Sequence, residues 1–370
     1  MREMFLYPWD VLDAGVDAVA DHLTQWHIKS VSLAGIYHQA RMLLPHNPIR
    51  RLMVHPSSSC YFPFDEAHYG ALVPRKPLAD YNGLWLNILN AFSKRGISVT
   101  SWCVLLHSSY QCSQHPDLAI TSICGDHSPS NLCPSHPEVQ DYVSALACDL
   151  KRSGIDQMDA ESLDYAGFLH GDHHEMYAYA DTASLDQLLG LCFCKACQAQ
   201  AKNRGIDVEA LKSQVRAAAD AFLLQKPIPA IDNALFAAYS AMRCDTIAQL
   251  AKRMQDESGL TLRPILGMTN DVPLRQSGVD LFKFPADKAI ICYPSSPDNT
   301  PAFVSKAKAL VPKQVTLTGG VRLMNPQTLR PDQVSAYEAA YAREGISHII
   351  YYNYGMAPLP ILEALRSDEP

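Results

Sequence analysis

The amino-acid sequence predicts a single (β/α)8 barrel domain that occupies residues 1–370. Short apolar, β-rich runs alternate with amphipathic segments of helical periodicity, and this alternation is typical of a closed parallel barrel. Many of the helical segments end in Lys or Arg followed by Gly, as helices commonly do. A doubly wound sheet is the competing architecture. It is disfavoured because AGIYHQAR, at the end of the first predicted strand, lacks the glycine-rich phosphate turn.

Eight strands are predicted in chain order, at residues 31–38, 50–58, 97–107, 155–163, 260–268, 288–296, 314–323 and 348–354. The helical segments between them include residues 82–96, 137–154, 234–259, 300–311 and 331–345. The segment 165–232, after the fourth strand, is too long for an ordinary connecting loop. We expect it to form an insertion that shapes a substrate site or a lid at the barrel mouth.

Polar and aromatic residues collect where nearly every predicted strand ends. The carboxyl ends of barrel strands converge on one mouth, where active sites of this fold lie, so these residues are expected to line one pocket. The alternative is that strand ends are simply where the chain turns polar. The candidate substrate contacts at these ends are His107, Asp271, Tyr293, Arg322, Tyr352 and Asn353.

Composition excludes several classes of partner. The formal net charge of −7 and the lack of a Lys/Arg-rich run argue against a nucleic-acid or anionic-membrane partner. No stretch approaches the roughly 20 apolar residues that a membrane span needs. The start, MREMFLYPWDVLDAG, is too short and too soon polar for a secretory signal, although a trimmed leader is compatible with it. Eleven scattered cysteines fit a reducing compartment, so we expect a cytoplasmic protein, with self-association left open.

One cysteine cluster stands apart from the others. Cys192, Cys194 and Cys197 form a C-x-C-x-x-C motif, which supplies three of the four ligands of a structural zinc site. A fourth ligand must come from elsewhere, and the histidines of the loop 170-HGDHHE-175 are candidates for it. A reduced cluster without metal is the alternative.

The chain around 131-NLCPSHPEVQDYV-143, followed by CFCKACQAQAKNRGID, resembles family 42 β-galactosidases. The resemblance implies a (β/α)8 glycosidase barrel in which Cys133 completes a structural zinc site with Cys192, Cys194 and Cys197. Similar arrangements occur in uncharacterised glycosidase-like barrels. Such a closed four-thiolate site would have no open position for chemistry.

The segment GIDQMDAESLDY carries the clearest chemical signal. Side chains alternate along a strand, so Asp159 and Glu161 are expected to point the same way, toward the barrel mouth. Two neighbouring carboxylates raise each other's pKa, and glycoside hydrolysis uses such a division between a protonated acid and an ionised partner. Structural acids held by arginines or backbone amides are the alternative interpretation.

The resemblance to family 42 implies that Glu161 is the acid/base, although Ala160 stands where that family has Asn. The family's nucleophilic Glu on strand seven is missing, because this chain reads TLTGGVRLMNP there. The D-A-E at 159–161 is also similar to the D-x-E of family 18 chitinases, in which the Asp orients the substrate's own acetamido group and a tyrosine, here Tyr293, accompanies the site. Asp271 and Asp298 are alternative second carboxylates.

The histidine-rich loop leaves two interpretations open. His170, His173 and His174 are expected to bind sugar hydroxyls, or else to hold a divalent ion together with nearby acids. The predicted function is therefore a glycoside hydrolase-like enzyme with Glu161 as general acid/base and Asp159 as its partner. The alternatives are a carbohydrate-binding barrel without hydrolase activity and a metal-dependent sugar lyase or isomerase.

Overall fold

A computed structural model of the chain describes residues 1–79, 81–168, 179, 181–267 and 274–366. Within these residues the strands are β1 Arg2–Leu6, β2 Ser30–Tyr37, β3 Ala40–Leu43, β4 Leu52–His55, β5 Ser59–Cys60, β6 Ser98–Val104, β7 Ala119–Thr121, β8 His127–Leu132, β9 Gln157–Glu161, β10 Thr261–Gly267, β11 Lys288–Cys292, β12 Thr316–Arg322 and β13 Ile349–Tyr352.

The helices are α1 Pro8–Ala14, α2 Val16–Gln25, α3 Asn82–Lys94, α4 Ser109–Gln114, α5 Pro137–Arg152, α6 Thr182–Leu189, α7 Lys195–Asn203, α8 Val208–Leu223, α9 Asn233–Ser258, α10 Thr300–Leu310, α11 Asp332–Arg343 and α12 Leu359–Glu363. Short 3₁₀ turns cover Glu66–His68, Pro116–Leu118 and Ala364–Arg366. Within the described parts of the chain, no helix is both long enough and apolar enough to cross a bilayer.

Eight parallel strands close into a barrel, which confirms the predicted fold class. Their order around the barrel is β1, β2, β6, β9, β10, β11, β12 and β13, and β13 pairs with β1 to complete the ring. The strand interiors are apolar and buried, as in SVSLAGIY of β2, where every residue is buried. Parallel strands covered by helices on the outside are expected to read this way.

The strand assignment needs one correction at the N-terminal end. The predicted strand at 50–58 is not part of the barrel, since β4 instead pairs antiparallel with β3 in a separate hairpin. The first barrel strand is β1, Arg2–Leu6, which the sequence analysis did not assign. The other seven predicted strands correspond to barrel strands, so the strand that carries Glu161 remains the fourth.

Helices α6, α7 and α8 lie between β9 and the long helix α9, within the segment expected to be an insertion. Helix α9 begins after Asp232, whose side chain accepts hydrogen bonds from the backbone N–H groups of Ala234 and Leu235 at 2.8 and 3.1 Å. It ends at Gly259, whose φ of 72° is the left-handed conformation that glycine adopts at helix ends. These caps fix where the chain returns from the insertion to the barrel wall.

Candidate active site

A cavity of about 700 Å³ opens at the carboxyl ends of the barrel strands. Every barrel strand or the loop that directly follows it contributes, with aromatic and polar groups facing one another across the space. The residues that matter for its chemistry are Phe5, Tyr37, His38, Trp102, Glu161, Asp164, Asp186, Tyr293, Arg322 and Tyr352. Active sites of this fold are built at this face, and the volume is within the range of small-molecule pockets.

Glu161, the last residue of β9, lines this cavity and is partly exposed to it. The indole Nε1–H of Trp102, on the adjacent strand β6, donates a hydrogen bond to Glu161 Oε2. Burial raises the pKa of Glu161, and the hydrogen bond from Trp102 opposes that rise. The carboxyl group of Glu161 therefore favours its protonated form more than the carboxyl group of an exposed glutamate does.

Trp102 is placed by aromatic packing inside the barrel. Its ring lies 4.9 Å from that of Phe5 and 5.0 Å from that of Tyr37, both in edge-to-face contact. Trp102 therefore packs in the core of the barrel and also contacts the candidate acid. The residue is 3 % exposed, and its N–H is the group that orients Glu161.

Asp159 does not line the cavity, and this corrects the expectation that it shares the hollow with Glu161. Its carboxylate is fully buried and accepts hydrogen bonds from Arg263 Nε at 2.6 Å and Arg263 Nη2 at 2.8 Å. The hydroxyls of Ser32 and Thr100 donate to the same carboxylate. Both acids point into the barrel as alternation predicts, but residues i and i+2 occupy successive layers along the strand.

A buried ion cluster forms that deeper layer. Arg263 of β10 also donates to both carboxylate oxygens of Glu3 on β1, at 2.8 Å each. His348 Nε2 lies 2.8 Å from the second oxygen of Glu3. Burial raises the pKa of Glu3, but the charges and hydrogen bonds of Arg263 and His348 together outweigh it and lower that pKa to about 2. Asp159 is thus one of two acids that neutralise a buried arginine, which is the structural alternative stated above for this residue.

Asp164 and Asp186, which sequence reasoning missed, are the further acids that line the cavity. Burial raises the pKa of Asp164 to about 7, Arg243 partly opposes this, and the charge of Glu161 adds to the rise. The charge of Glu161 therefore contributes to the protonation of Asp164. The carboxylate of Asp186 is buried against Gly167, where a Cβ would meet it at 2.4 Å.

Three of the predicted substrate contacts reach the cavity together. Tyr293, Arg322 and Tyr352, from β11, β12 and β13 or the residue just after, line it on one side. The Arg322 guanidinium lies 4.8 Å from the ring centre of Tyr293. The Tyr352 hydroxyl lies 2.9 Å from that of Tyr7, which in turn donates to Tyr37 at 2.9 Å. This tyrosine cluster forms part of the cavity wall, and the charge of Glu161 acts on Tyr37 and Tyr352.

The remaining predicted contacts are placed differently. His107 is buried with its Nδ1 2.9 Å from Asn131 Oδ1, and it packs edge-on against His38, which does line the cavity. Asn353 is fully buried and its side-chain oxygen accepts a hydrogen bond from the backbone N–H of Met356, so neither residue is a lining group. Predictions that fall outside the described residues concern His170, His173, His174 and Asp271. Asp298 lies at the turn before α10 and does not line the cavity.

The four cysteines of the predicted metal site converge. All four sulfurs lie within 4.8 Å of one another, and all four residues are buried. Cys133 comes from the loop after β8, while the other three surround the start of α7. The sulfur of Cys133 lies 3.5 Å from those of Cys197 and Cys194 and 3.6 Å from that of Cys192. Such a set could hold a metal ion.

The donor set is chemically suited to a thiophilic ion. Hydrogen bonds from the neighbouring thiols of Cys133, Cys192 and Cys197 lower the pKa of Cys194 far below that of an ordinary cysteine, so one member is readily a thiolate. The backbone N–H of Thr121 donates to Cys192 Sγ at 3.3 Å, and that of Cys197 donates to Cys194 Sγ at 3.5 Å. Such N–H groups stabilise the negative charge of metal-bound thiolates.

Comparison with known proteins bears on the fold. No protein-family model matches the sequence, and no curated protein sequence is significantly similar to it. Among solved structures, the catalytic domain of a β-amylase from Paenibacillus polymyxa is similar, with a TM-score of 0.55, 12 % identity, and 99 % of this chain and 96 % of that chain covered.

A β-galactosidase from Marinomonas ef1 is similar with a TM-score of 0.56 and 11 % identity over 99 % of this chain and 58 % of that one. An α-L-fucosidase from Paenibacillus thiaminolyticus is similar with a TM-score of 0.55 and 12 % identity over 99 % of this chain and 48 % of that one. This chain therefore shares the (β/α)8 barrel fold with these three proteins, which is the fold that the sequence resemblance implied. It spans about half the length of the galactosidase and fucosidase chains.

Proposed function

We propose that this protein is an enzyme that hydrolyses a glycosidic bond, with Glu161 as its general acid/base. The observation that carries the proposal is the position of Glu161. It ends the fourth barrel strand, faces a cavity large enough for a sugar, and has a raised pKa because of its burial. A carboxylic acid that stays protonated near neutral pH can donate its proton to the leaving oxygen of a glycoside.

Asp164 is proposed as the second carboxylate in place of Asp159. It lines the same cavity, and burial together with the charge of Glu161 raises its pKa to about 7, so it can gain or lose a proton over the neutral range. In this scheme one acid protonates the leaving group while the other, ionised, activates water or attacks the anomeric carbon. Asp159 would then act only in the buried ion cluster that supports the strand.

The four-cysteine site is proposed to hold one structural zinc ion, bound by Cys133, Cys192, Cys194 and Cys197. A tetrahedron with Zn–S bonds of about 2.3 Å has edges of roughly 3.8 Å, which is close to the 3.5–3.6 Å that separate Cys133 Sγ from the other three sulfurs, and all four sulfurs lie within 4.8 Å of one another. Four protein ligands leave no open position, so the ion would tie the insertion to the loop before α5 and take no part in the reaction.

Screening wild-type protein against nitrophenyl glycosides and N-acetylhexosaminides of both anomeric configurations tests the proposal. Glu161→Gln keeps the shape of the side chain and its contact with Trp102, so it should fold and lose most of the activity. Asp164→Asn should also lose activity. The matched control is Glu209→Gln, on helix α8 with its side chain 63 % exposed, which should retain full turnover. Full turnover in Glu161→Gln contradicts the assignment.

A carbohydrate-binding barrel without hydrolase activity is the second candidate, and one observation favours it. Strand β12 carries no acid, and Arg322 lines the cavity from its end. Under this alternative, sugars would raise the melting temperature of the wild type and of Glu161→Gln equally, with no product released from any glycoside in the panel.

A further inference from the structure

The cavity contains one cation whose partner is missing from the described residues. Arg322 ends β12 and lines the cavity, partly exposed. Its Nε is buried without a hydrogen-bond partner. Within the ranges that the structure describes, its guanidinium forms no ion pair with any carboxylate. Buried polar groups are nearly always satisfied, so a cation in the cavity with no such partner among the described residues is a candidate to bind an anionic ligand.

Among the described residues, aromatic rings and not acids hold the guanidinium of Arg322 in place. Its carbon lies 4.8 Å from the ring centre of Tyr293 and 5.9 Å from that of Tyr352. Stacking of this kind orients the planar guanidinium and leaves the N–H donors available in the plane of the guanidinium. The positively charged guanidinium of Arg322 therefore faces the cavity in a fixed orientation.

Two of the three described acids that line the cavity, Glu161 and Asp164, have other partners. Glu161 accepts the hydrogen bond of Trp102, and the charge of Arg243 acts on Asp164. Both acids lie on the β9 side of the cavity, whereas Arg322 lies on the β11–β13 side with Tyr293 and Tyr352. The cavity is therefore polarised, with acids that favour protonation on one wall and a permanent cation on the other.

We propose that Arg322 binds a carboxylate carried by the substrate, so that the sugar recognised in this cavity is a uronic acid. A guanidinium pairs with a carboxylate through two parallel hydrogen bonds, and a carboxylate is the anion that a sugar carries on its own carbon skeleton, without an added ester group. The catalytic consequence rests on the proposed function, because Glu161 would act on the glycosidic bond of that residue. The binding of the carboxylate does not depend on it.

Binding of free D-glucuronate, D-galacturonate and D-mannuronate, measured by calorimetry against glucose, galactose and mannose, tests this directly. At least one uronate should bind the wild type and Glu161→Gln with similar affinity, and the neutral sugars should bind more weakly. Arg322→Gln should weaken uronate binding by roughly tenfold to a hundredfold, the loss expected for a hydrogen-bonded charged pair. Arg322→Lys should restore part of it, since the charge returns without the fork.

The control is Arg330→Gln, whose side chain is 66 % exposed and paired with Asp332, and it should bind uronate as the wild type does. Glucose 6-sulfate and glucose 6-phosphate separate the anion types, and preference for either over the uronates overturns the carboxylate assignment. So does equal binding of neutral sugars and uronates, or unchanged uronate affinity in Arg322→Gln.

The two proposals fail separately. If a uronate binds through Arg322 but no uronide or neutral glycoside is cleaved, the proposed hydrolase fails and this inference stands. If neutral glycosides are cleaved through Glu161 and Arg322→Gln changes nothing, the hydrolase stands and this inference fails.

Discussion

Replacement of Asp159 by Asn separates a structural acid from a catalytic one. The carboxylate of Asp159 accepts two hydrogen bonds from Arg263, at 2.6 and 2.8 Å, in a fully buried layer beneath the cavity. Removing one partner of a buried ion pair costs about 3–5 kcal/mol. Arg263 keeps its two contacts with Glu3, each at 2.8 Å, so the lower end of that range, about 3 kcal/mol, is expected.

The size of the change in Tm follows from the length of the chain. The entropy of unfolding is about 2.1 cal/mol/K per residue, which for 370 residues is roughly 0.8 kcal/mol/K. A loss of about 3 kcal/mol then lowers Tm by about 4 °C. Circular dichroism melting measures it, and Glu3→Gln, which removes the other acid of the cluster, should give a drop of similar size.

Activity is the second readout of the same variant. Because Asp159 does not line the cavity, folded Asp159→Asn should keep kcat within about threefold of the wild type, far from the large loss expected for a catalytic acid. Asp156→Asn is the control, since that side chain is 91 % exposed and should change neither quantity. An unchanged Tm together with a hundredfold loss of kcat would refute the structural assignment of Asp159.

Three further changes test the site and its support. Trp102→Phe removes the N–H that lowers the pKa of Glu161. Because a hydrogen bond to a charged group is worth about 1.5–3 kcal/mol, the alkaline limb of the pH–kcat/KM profile should move up by roughly one to two pH units. A limb that does not move rules out this coupling. Metal analysis should find one zinc per chain; Cys197→Ser should lose it and melt earlier, whereas Cys124→Ser, which changes an exposed cysteine, should keep it. The lowered pKa of Glu3 contributes stability that is fully present above about pH 4.5 and is lost as the pH falls toward about 2. The free energy of unfolding in urea should therefore fall by about 3 kcal/mol across that window. A Glu3→Gln variant whose free energy of unfolding depends on pH in the same way argues against this assignment.

Much of the fold could be predicted from sequence because buried parallel strands read as apolar runs separated by amphipathic helices. The strand β1 was missed because Arg2–Leu6 stands at the beginning of the numbered chain, with no turn before it to mark a boundary. The hairpin strand β4 was taken for a barrel strand because Leu52 and Val54 are apolar, yet their side chains are 48 % and 58 % exposed. Hydrophobicity alone does not distinguish a surface hairpin from a barrel wall.

The site was predictable where the signal is local. One turn and the start of one helix carry Cys192, Cys194 and Cys197, so their spacing in the sequence predicts that their sulfurs lie close together. Alternation along β9 correctly placed Asp159 and Glu161 on one side of the strand. It could not give their depth, because the layer that a side chain reaches depends on the strands beside it, and here Arg263 of β10 captures Asp159.

Asp164 could not be recognised in advance because its position depends on a backbone turn. Ser162, directly after β9, adopts a left-handed φ of 53°, which is uncommon for a residue other than glycine. The chain changes direction there, and Asp164 lines the cavity beside Glu161. The sequence SLD at residues 162–164 does not predict such a turn, so the second acid was expected on the strands instead.

The dependence of the Glu161→Gln defect on the leaving group tests the proposed role of Glu161 most directly. A general acid matters most when the departing oxygen is basic and least when it leaves readily as a stabilised anion. With the sugar that the glycoside panel identifies, Glu161→Gln should cleave the alkyl or sugar glycoside at least about a hundredfold more slowly, yet cleave the 2,4-dinitrophenyl glycoside at close to the wild-type rate. An equal loss on both substrates would contradict proton donation by Glu161.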